Sequence, residues 1–269
     1  MEKLQAALTK AREKRAAEAG HSVTEKPNAS QTQRRPGNSA DAAWQRLRTH
    51  SLPNDHLELN RIVSGQASAS AAPFDILRTK ILVQMRKNGW RRLAITSPTP
   101  NSGKTTIACN LALGLGRQEE LRTMLLDLDL RSPSMSEYLG CQPERGLGSV
   151  LMGEIPFEEQ AFCINENVAI SGSPTPEADP SRLLLSEETF EVLNRIEKLY
   201  EPDIMIFDLP SLLVNDDTRA FLKNVDCALI VVRSNDTRFA QFDKCERELA
   251  EQTNVLGAVL NAYSYGKET

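Results

Sequence analysis

Gly103, Lys104 and Thr105 follow the apolar run Leu93, Ala94, Ile95, and Ile107, Leu111, Ala112 and Leu115 lie beyond them at helical spacing. A strand that turns through a loop ending Gly-Lys-Thr into a helix is a phosphate-binding arrangement. Successive backbone N–H groups in such a loop, reinforced by the positive end of the following helix, form a concavity for nucleotide phosphates. Lys104 adds a point charge between the β- and γ-phosphates, and the Thr105 hydroxyl is a ligand for Mg²⁺. The expected nucleotide-binding residues are therefore Thr99, Pro100, Asn101, Ser102, Gly103, Lys104, Thr105 and Thr106. Pro98 stands where the pattern G-x-x-x-x-G-K-[ST] has its first glycine.

Two further stretches supply acid chemistry. Asp127 and Asp129 alternate at the end of the apolar run Met124, Leu125, Leu126, and Asp208 ends the run Ile204, Met205, Ile206, Phe207. Alternate positions on a regular strand point to opposite faces, so a turn is needed to aim both Asp127 and Asp129 at one site. One of that pair would hold Mg²⁺ through water while the other takes a proton from an attacking hydroxyl or water. Asp208, at the end of a buried strand, reads as a Walker B carboxylate. Each aspartate alone fits a helix cap or a turn equally well; carboxylates on two strand ends beside a phosphate loop form a catalytic set of Lys104, Asp127, Asp129 and Asp208, with Thr105, Asp129 and Asp208 as metal ligands.

Such a set needs a scaffold that brings strand ends together. Strand patterns fall at 93–97, 123–128, 168–171, 204–208, 228–233 and 255–261, with helices at 180–199 and 236–252 between the later ones. Nearly continuous apolar strands separated by helices predict an α/β fold, a three-layer sandwich around a mainly parallel sheet. Ligands of such folds sit at the carboxyl ends of the strands. Ahead of the first strand a helix opens with Pro73, carries Phe74, Leu77, Ile81, Leu82 and Met85 on one side, and stops at Gly89.

Composition bounds the rest. A chain of 269 residues with 40% hydrophobic and 25% charged side chains holds one large domain and an appendage. A formal charge of −4 argues against a nucleic-acid partner. No apolar run approaches the ~20 residues of a membrane span, and Met1, Glu2, Lys3 and Leu4 do not begin a signal peptide, so a cytoplasmic chain is expected. The 5 cysteines lack any C-x-x-C spacing and read as reduced, packed thiols. All 3 histidines precede the core, which disfavours a histidine base.

Residues 1–70 differ from residues 71–269. A charge-rich, helix-prone stretch at 2–19 with Leu4, Leu8 and Ala11 is stopped by Gly20, and 21–42 is a polar linker too poor in apolar residues to order itself. Trp44, Leu47, Leu57, Leu59 and Ile62 are candidates to dock on the core, and 64–70 reads as a second flexible joint. The expected organisation is a largely disordered N-terminal segment with short helices, then a phosphate-loop domain.

From Pro73 to Asn261 the chain resembles the cytoplasmic domain of the bacterial tyrosine kinases that partner polysaccharide chain-length proteins. The likeness rests on Ser97 to Thr106, on Asp127-x-Asp129-x-Arg131-x-Pro133, on Asp208-x-Pro210, and on the runs beginning Gly146, Ser173 and Val255. The resemblance implies a P-loop NTPase fold, ATP or ADP with Mg²⁺, catalytic and metal-handling roles for Asp127 and Asp129, and Asn261 near the base. It also implies work in exopolysaccharide or capsule biosynthesis or export, with a membrane-embedded co-polymerase as partner and a place at the inner face of the membrane through it. Partitioning ATPases of the MinD and ParA kind put a second lysine early in the loop; Thr99 occupies that position here, which favours the kinase branch. The family's ring-forming Glu-x-x-Arg-x-x-Arg element is replaced by Ala72, Asp75 and Arg78, so self-association is possible but the ring motif is incomplete. Near the C-terminus only Tyr263 and Tyr265 are available as acceptors, and Ser132, Leu209 and Ser211 depart from the usual residues around the aspartates. A partitioning-type ATPase and a nucleotide-dependent adaptor without kinase activity are the competing readings.

Overall fold

The computed structural model describes residues 39–263. The expected helix at 2–19, the linker as far as residue 38, and Tyr265 lie outside them. In chain order the elements are α1 (Ser39–Arg46), β1 (Arg48–Thr49), α2 (Asn54–Leu59), α3 (Ala72–Asn88), β2 (Arg92–Thr96), α4 (Lys104–Gly116), β3 (Thr123–Asp127), α5 (Met135–Tyr138), α6 (Leu147–Leu151), α7 (Phe157–Gln160), β4 (Phe162–Ile164) and β5 (Val168–Ser171). They continue with α8 (Pro180–Leu185), α9 (Glu187–Tyr200), β6 (Ile204–Asp208), α10 (Asp217–Phe221), a 3-10 turn (Leu222–Asn224), β7 (Cys227–Arg233), α11 (Phe239–Ala250) and β8 (Asn254–Asn261).

The strands form one 8-stranded sheet in the order β1-β4-β5-β3-β6-β2-β7-β8. Every pairing is parallel except β4 with β5. Every residue of β2, β3 and β6 is buried, as expected for strands covered on both faces. Alternate side chains of β3 enter opposite layers: Met124 and Leu126 join a core with Trp44, Val192, Leu193, Ile196 and Leu249, while Leu125 joins Ile81, Met85, Ile107, Leu111 and Leu115. One layer is thus closed by α1, α9 and α11 and the other by α3 and α4, the three-layer arrangement predicted.

The structure departs from expectation in several places. The single helix expected at 180–199 is two, because Ser186 leaves helical geometry and its hydroxyl accepts a hydrogen bond from the Thr189 amide at 3.1 Å, capping α9. The helix expected from 236 starts at Phe239, since Thr237 Oγ1 instead accepts from the Arg233 amide at 3.0 Å and holds a turn. The short strands β1 and β4 carry too few residues for a period to show, and tertiary pairing alone makes them. Lastly, α1 takes up the end of the polar run: Ala40 and Ala43 are fully buried and the Trp44 indole donates to the Tyr200 carbonyl at 2.7 Å. The joint expected at 64–70 begins with a buried Ser64 that donates from its amide and hydroxyl to Asn110 Oδ1, at 3.1 and 2.9 Å. The 5 cysteines are free and buried.

Candidate nucleotide and metal site

The sheet order places β3, β6 and β2 side by side, so their carboxyl ends open on one edge. Asp127 pairs in register with Asp208, and Asp208 with Ile95. The chain then leaves β2 through residues 97–103 and enters α4 at Lys104.

This loop is shaped by its carbonyls. Thr99 O accepts from the hydroxyls of Ser97 and Ser102 at 2.7 and 2.8 Å, Asn101 O from Arg233 Nη1 at 2.6 Å, and Ser102 O from Asn261 Nδ2 at 2.8 Å. With those oxygens tied outward, the amides of Asn101, Ser102 and Gly103 find no protein acceptor among the described residues. That is the cradle an anion requires. Asn101 and Gly103 take positive φ, 58° and 87°. Gly103 is the residue this geometry demands, for a Cβ there would sit 2.2 Å from Asn261 Nδ2. Pro98, in place of the first glycine, leaves the turn intact because the positive φ falls later. Asn261 thus supports the loop, a role its spacing did not indicate. Thr106 faces away from the loop, its hydroxyl donating to Asn60 O at 3.5 Å.

The aspartates are treated differently. Asp127 is buried and its oxygens accept from the amides of Asp129, Ser134 and Met135 at 3.1, 3.2 and 3.1 Å. It folds the segment after β3 back on itself and supplies the turn that the alternation of Asp127 and Asp129 requires. Asp208 is equally buried, yet neither carboxylate oxygen has a hydrogen-bond partner among the described residues. Burial pushes its pKa up to about 7, against the pull of the Lys104 charge; the Thr105 hydroxyl also approaches and lowers it, without reaching hydrogen-bond geometry. Asp127 is raised well above the usual carboxylate range, first by burial and then by the Asp208 charge. Half-buried Asp129 is raised by burial and held back by Lys104.

A buried carboxylate with no donor beside a lysine and a threonine hydroxyl is the donor set of a hard divalent cation. Among the described residues no group of three or more His, Cys, Asp or Glu side chains has metal-binding spacing. Mg²⁺ does not need one, since it is commonly held by one or two carboxylates, a hydroxyl, water and the phosphates themselves. The residues present fit Mg²⁺ bound together with a nucleotide.

Sequence reasoning missed a second layer around these groups. Arg131 grips buried Asp217 in two directions, Nε to Oδ2 at 2.6 Å and Nη2 to Oδ1 at 2.9 Å, and its Nη2 also reaches Ser181 Oγ at 3.1 Å. This node ties the segments after β3, after β5 and after β6. Arg131 stood in a visible motif, whereas nothing near Asp217 or Ser181 marked them as its partners.

A mainly parallel sheet that delivers a Gly-Lys-Thr loop and two aspartates to one edge defines a P-loop nucleotide-binding protein. Residues 93–269 match the CobQ/CobB/MinD/ParA nucleotide binding domain, and the chain belongs to that family. It is 29% identical over 206 residues to the tyrosine-protein kinase YwqD of Bacillus subtilis (strain 168), covering 75% of this chain and 85% of that one. Against the tyrosine-protein kinase etk of Escherichia coli (strain K12) it is 27% identical over 232 residues, which takes in 82% of this chain but 31% of the relative. The solved kinase domain of the Escherichia coli tyrosine kinase ETK superposes with a TM-score of 0.68 at 25% identity, over 82% of this chain and 88% of that domain. The septum site-determining protein MinD from Pyrococcus horikoshii OT3, solved with Mg-ADP, gives 0.55 at 24% identity over 66% and 72% of the two chains, a likeness of fold. The motif resemblance to bacterial tyrosine kinases is therefore matched by whole-domain similarity.

Proposed function

We propose that this protein binds Mg-ATP and transfers the γ-phosphoryl group to protein tyrosine, in the manner of the bacterial tyrosine kinases, within exopolysaccharide or capsule assembly. The observation that carries the reading is Asp208, a buried carboxylate with both oxygens unmatched beside Lys104 and Thr105. Residues 99–105 receive the phosphates, Lys104 offsets their charge, and Asn261 keeps the loop in shape. Thr105 and Asp208 would hold Mg²⁺, which would supply charge neutralisation on the phosphates and leave Asp129 free to act as the base. Asp127 fixes the turn that presents Asp129. Half-buried Asp129 takes the proton as the tyrosine oxygen bonds to phosphorus and ADP leaves.

The partner in this reading is a membrane-embedded chain-length or co-polymerase protein, and the place of action is the cytoplasmic face of the membrane. No helix among the described residues is long and apolar enough to cross a membrane. The experiment is incubation of the full chain with radiolabelled Mg-ATP. Label on tyrosine supports the kinase; phosphate release alone replaces it with a MinD-like or ParA-like ATPase; neither leaves a nucleotide-dependent adaptor.

A further inference from the structure

Ser211 lies three residues beyond Asp208, and both its side chain and that of Ser97 are buried. Lys104 Nζ donates to Ser211 Oγ at 3.3 Å, the hydroxyls of Ser211 and Ser97 are 3.0 Å apart, and Ser97 Oγ donates to the Thr99 carbonyl at 2.7 Å. A hydroxyl carries a single proton and an ammonium only donates. Ser97 has given its proton to Thr99, so Ser211 is the donor between the two serines and turns a lone pair to Lys104. Protons therefore run one way, from Lys104 through Ser211 and Ser97 to the phosphate loop itself.

Ser211 is held from several sides. The Leu212 amide donates to Ser97 O at 2.9 Å, and the hydroxyls of Thr96 and Thr218 both donate to Pro210 O, at 2.7 and 2.8 Å. Lys104, by contrast, is a long side chain whose rotamer freedom has to be given up when a phosphate arrives. Asp208 feels the lysine charge but forms no ion pair with it among the described residues.

We propose that Ser211 is a positioning residue for Lys104: its hydroxyl holds the ammonium over the phosphate loop before nucleotide binds and keeps it from closing onto Asp208. A lysine ordered in advance has less freedom to lose on binding. A lysine captured by Asp208 would have to leave an ion pair first, and would occupy the carboxylate that the cation needs.

The inference rests on the nucleotide-binding reading, and titration of the full chain with ADP in EDTA separates the two, because without cation the lysine–phosphate contact dominates the measurement. Ser211→Ala is expected to weaken ADP binding about tenfold, as for loss of one hydrogen bond to a charged group. Ser211→Thr, which keeps the hydroxyl, should bind like the parent. In an Asp208→Asn background, where no carboxylate is left to capture the lysine, Ser211→Ala should have little effect. Thermal unfolding without nucleotide checks that each variant is folded; if Ser211→Ala is not, Ser97→Ala breaks the same relay and should weaken ADP in the same direction. Parent-like affinity in the serine-to-alanine variant, or a loss that persists undiminished with Asp208→Asn, overturns the inference alone. A parent protein that does not bind ADP overturns the nucleotide reading and the inference with it.

Discussion

Asp127 and Asp208 are the same residue on adjacent strands, in register, equally buried, and they are wired in opposite ways. At the end of β3 the carboxylate is saturated by amides of its own turn. At the end of β6 both oxygens are unmatched. A buried carboxylate that meets its donors inside the protein is a structural part, whereas one that meets none stores free energy that only an added cation or proton can release. Similar burial and similar direction of pKa shift therefore do not imply a shared role; the distribution of donors distinguishes them.

The largest effects should appear in chemistry. Asp208→Asn and Asp129→Asn are each expected to lower Mg-ATP turnover by about 100-fold or more, while ADP binding in EDTA survives. Asp127→Asn should also abolish activity, but by unsettling the turn, because an amide NH₂ would oppose one of the backbone donors. The comparison breaks if Asp127→Asn keeps its unfolding midpoint and loses only turnover. Lys104→Met should remove most of the thermal stabilisation that Mg-ATP or Mg-ADP confers, since ligand bound only by the folded state raises stability by mass action. An unchanged shift would remove the phosphate loop from the mechanism.

Stability gives the sharper contrast, because the two substitutions should differ in sign. Asp127→Ala strips partners from three amides and is expected to cost about 3–5 kcal/mol. Asp208→Asn removes an unpaired buried charge and should stabilise the nucleotide-free protein by about 1–3 kcal/mol. Urea unfolding without nucleotide measures both, and destabilisation by Asp208→Asn would mean that the carboxylate has a partner after all. Gly103→Ala acts on the loop that both strands face. With positive φ and a Cβ driven into Asn261, it should cost about 1–3 kcal/mol and weaken nucleotide binding together.

The contrast also marks what the chain discloses before it folds. Apolar runs long enough to show a period, such as those of β3 and β6, announced themselves, as did the Gly-Lys-Thr loop, because a phosphate cradle needs its residue types contiguous. Asp127 and Asp208 were both visible as strand-end carboxylates, but which was saturated depends on the Ser134 and Met135 amides, and backbone donors have no residue type to read. The grip of Arg131 on Asp217 and the Ser97–Ser211 relay join positions far apart in the chain and show only when the sheet brings their loops together. α1 was hidden for another reason: Trp44 was legible as a residue that could dock on the core, but the polar run before it gave no helical period, and its partners Tyr200 and Arg122 are distant in the chain.

A third carboxylate gives the smallest effect and sets the scale for the other two. Asp75, on α3 in place of the arginine that a ring-forming element would put there, meets Arg117 at 2.8 Å and Arg78 at 3.1 Å, all within one chain and partly open to solvent. Arg78 is further committed to the Gly114 carbonyl at 2.8 Å. Exposed pairs of this kind contribute about 0–1 kcal/mol, since water screens the attraction and long side chains lose freedom in making it. Asp75→Ala should therefore shift the urea midpoint only slightly, far less than Asp127→Ala. The charges at 75 and 78 are satisfied inside the chain and Ala72 offers none, so these three positions leave no free charge to pair with a second copy. Light scattering with Mg-ADP should then report a monomer or small oligomer, unchanged by Asp75→Ala. A closed ring that Asp75→Ala dissociates would show that this carboxylate, unlike Asp127, exchanges its internal partners for external ones.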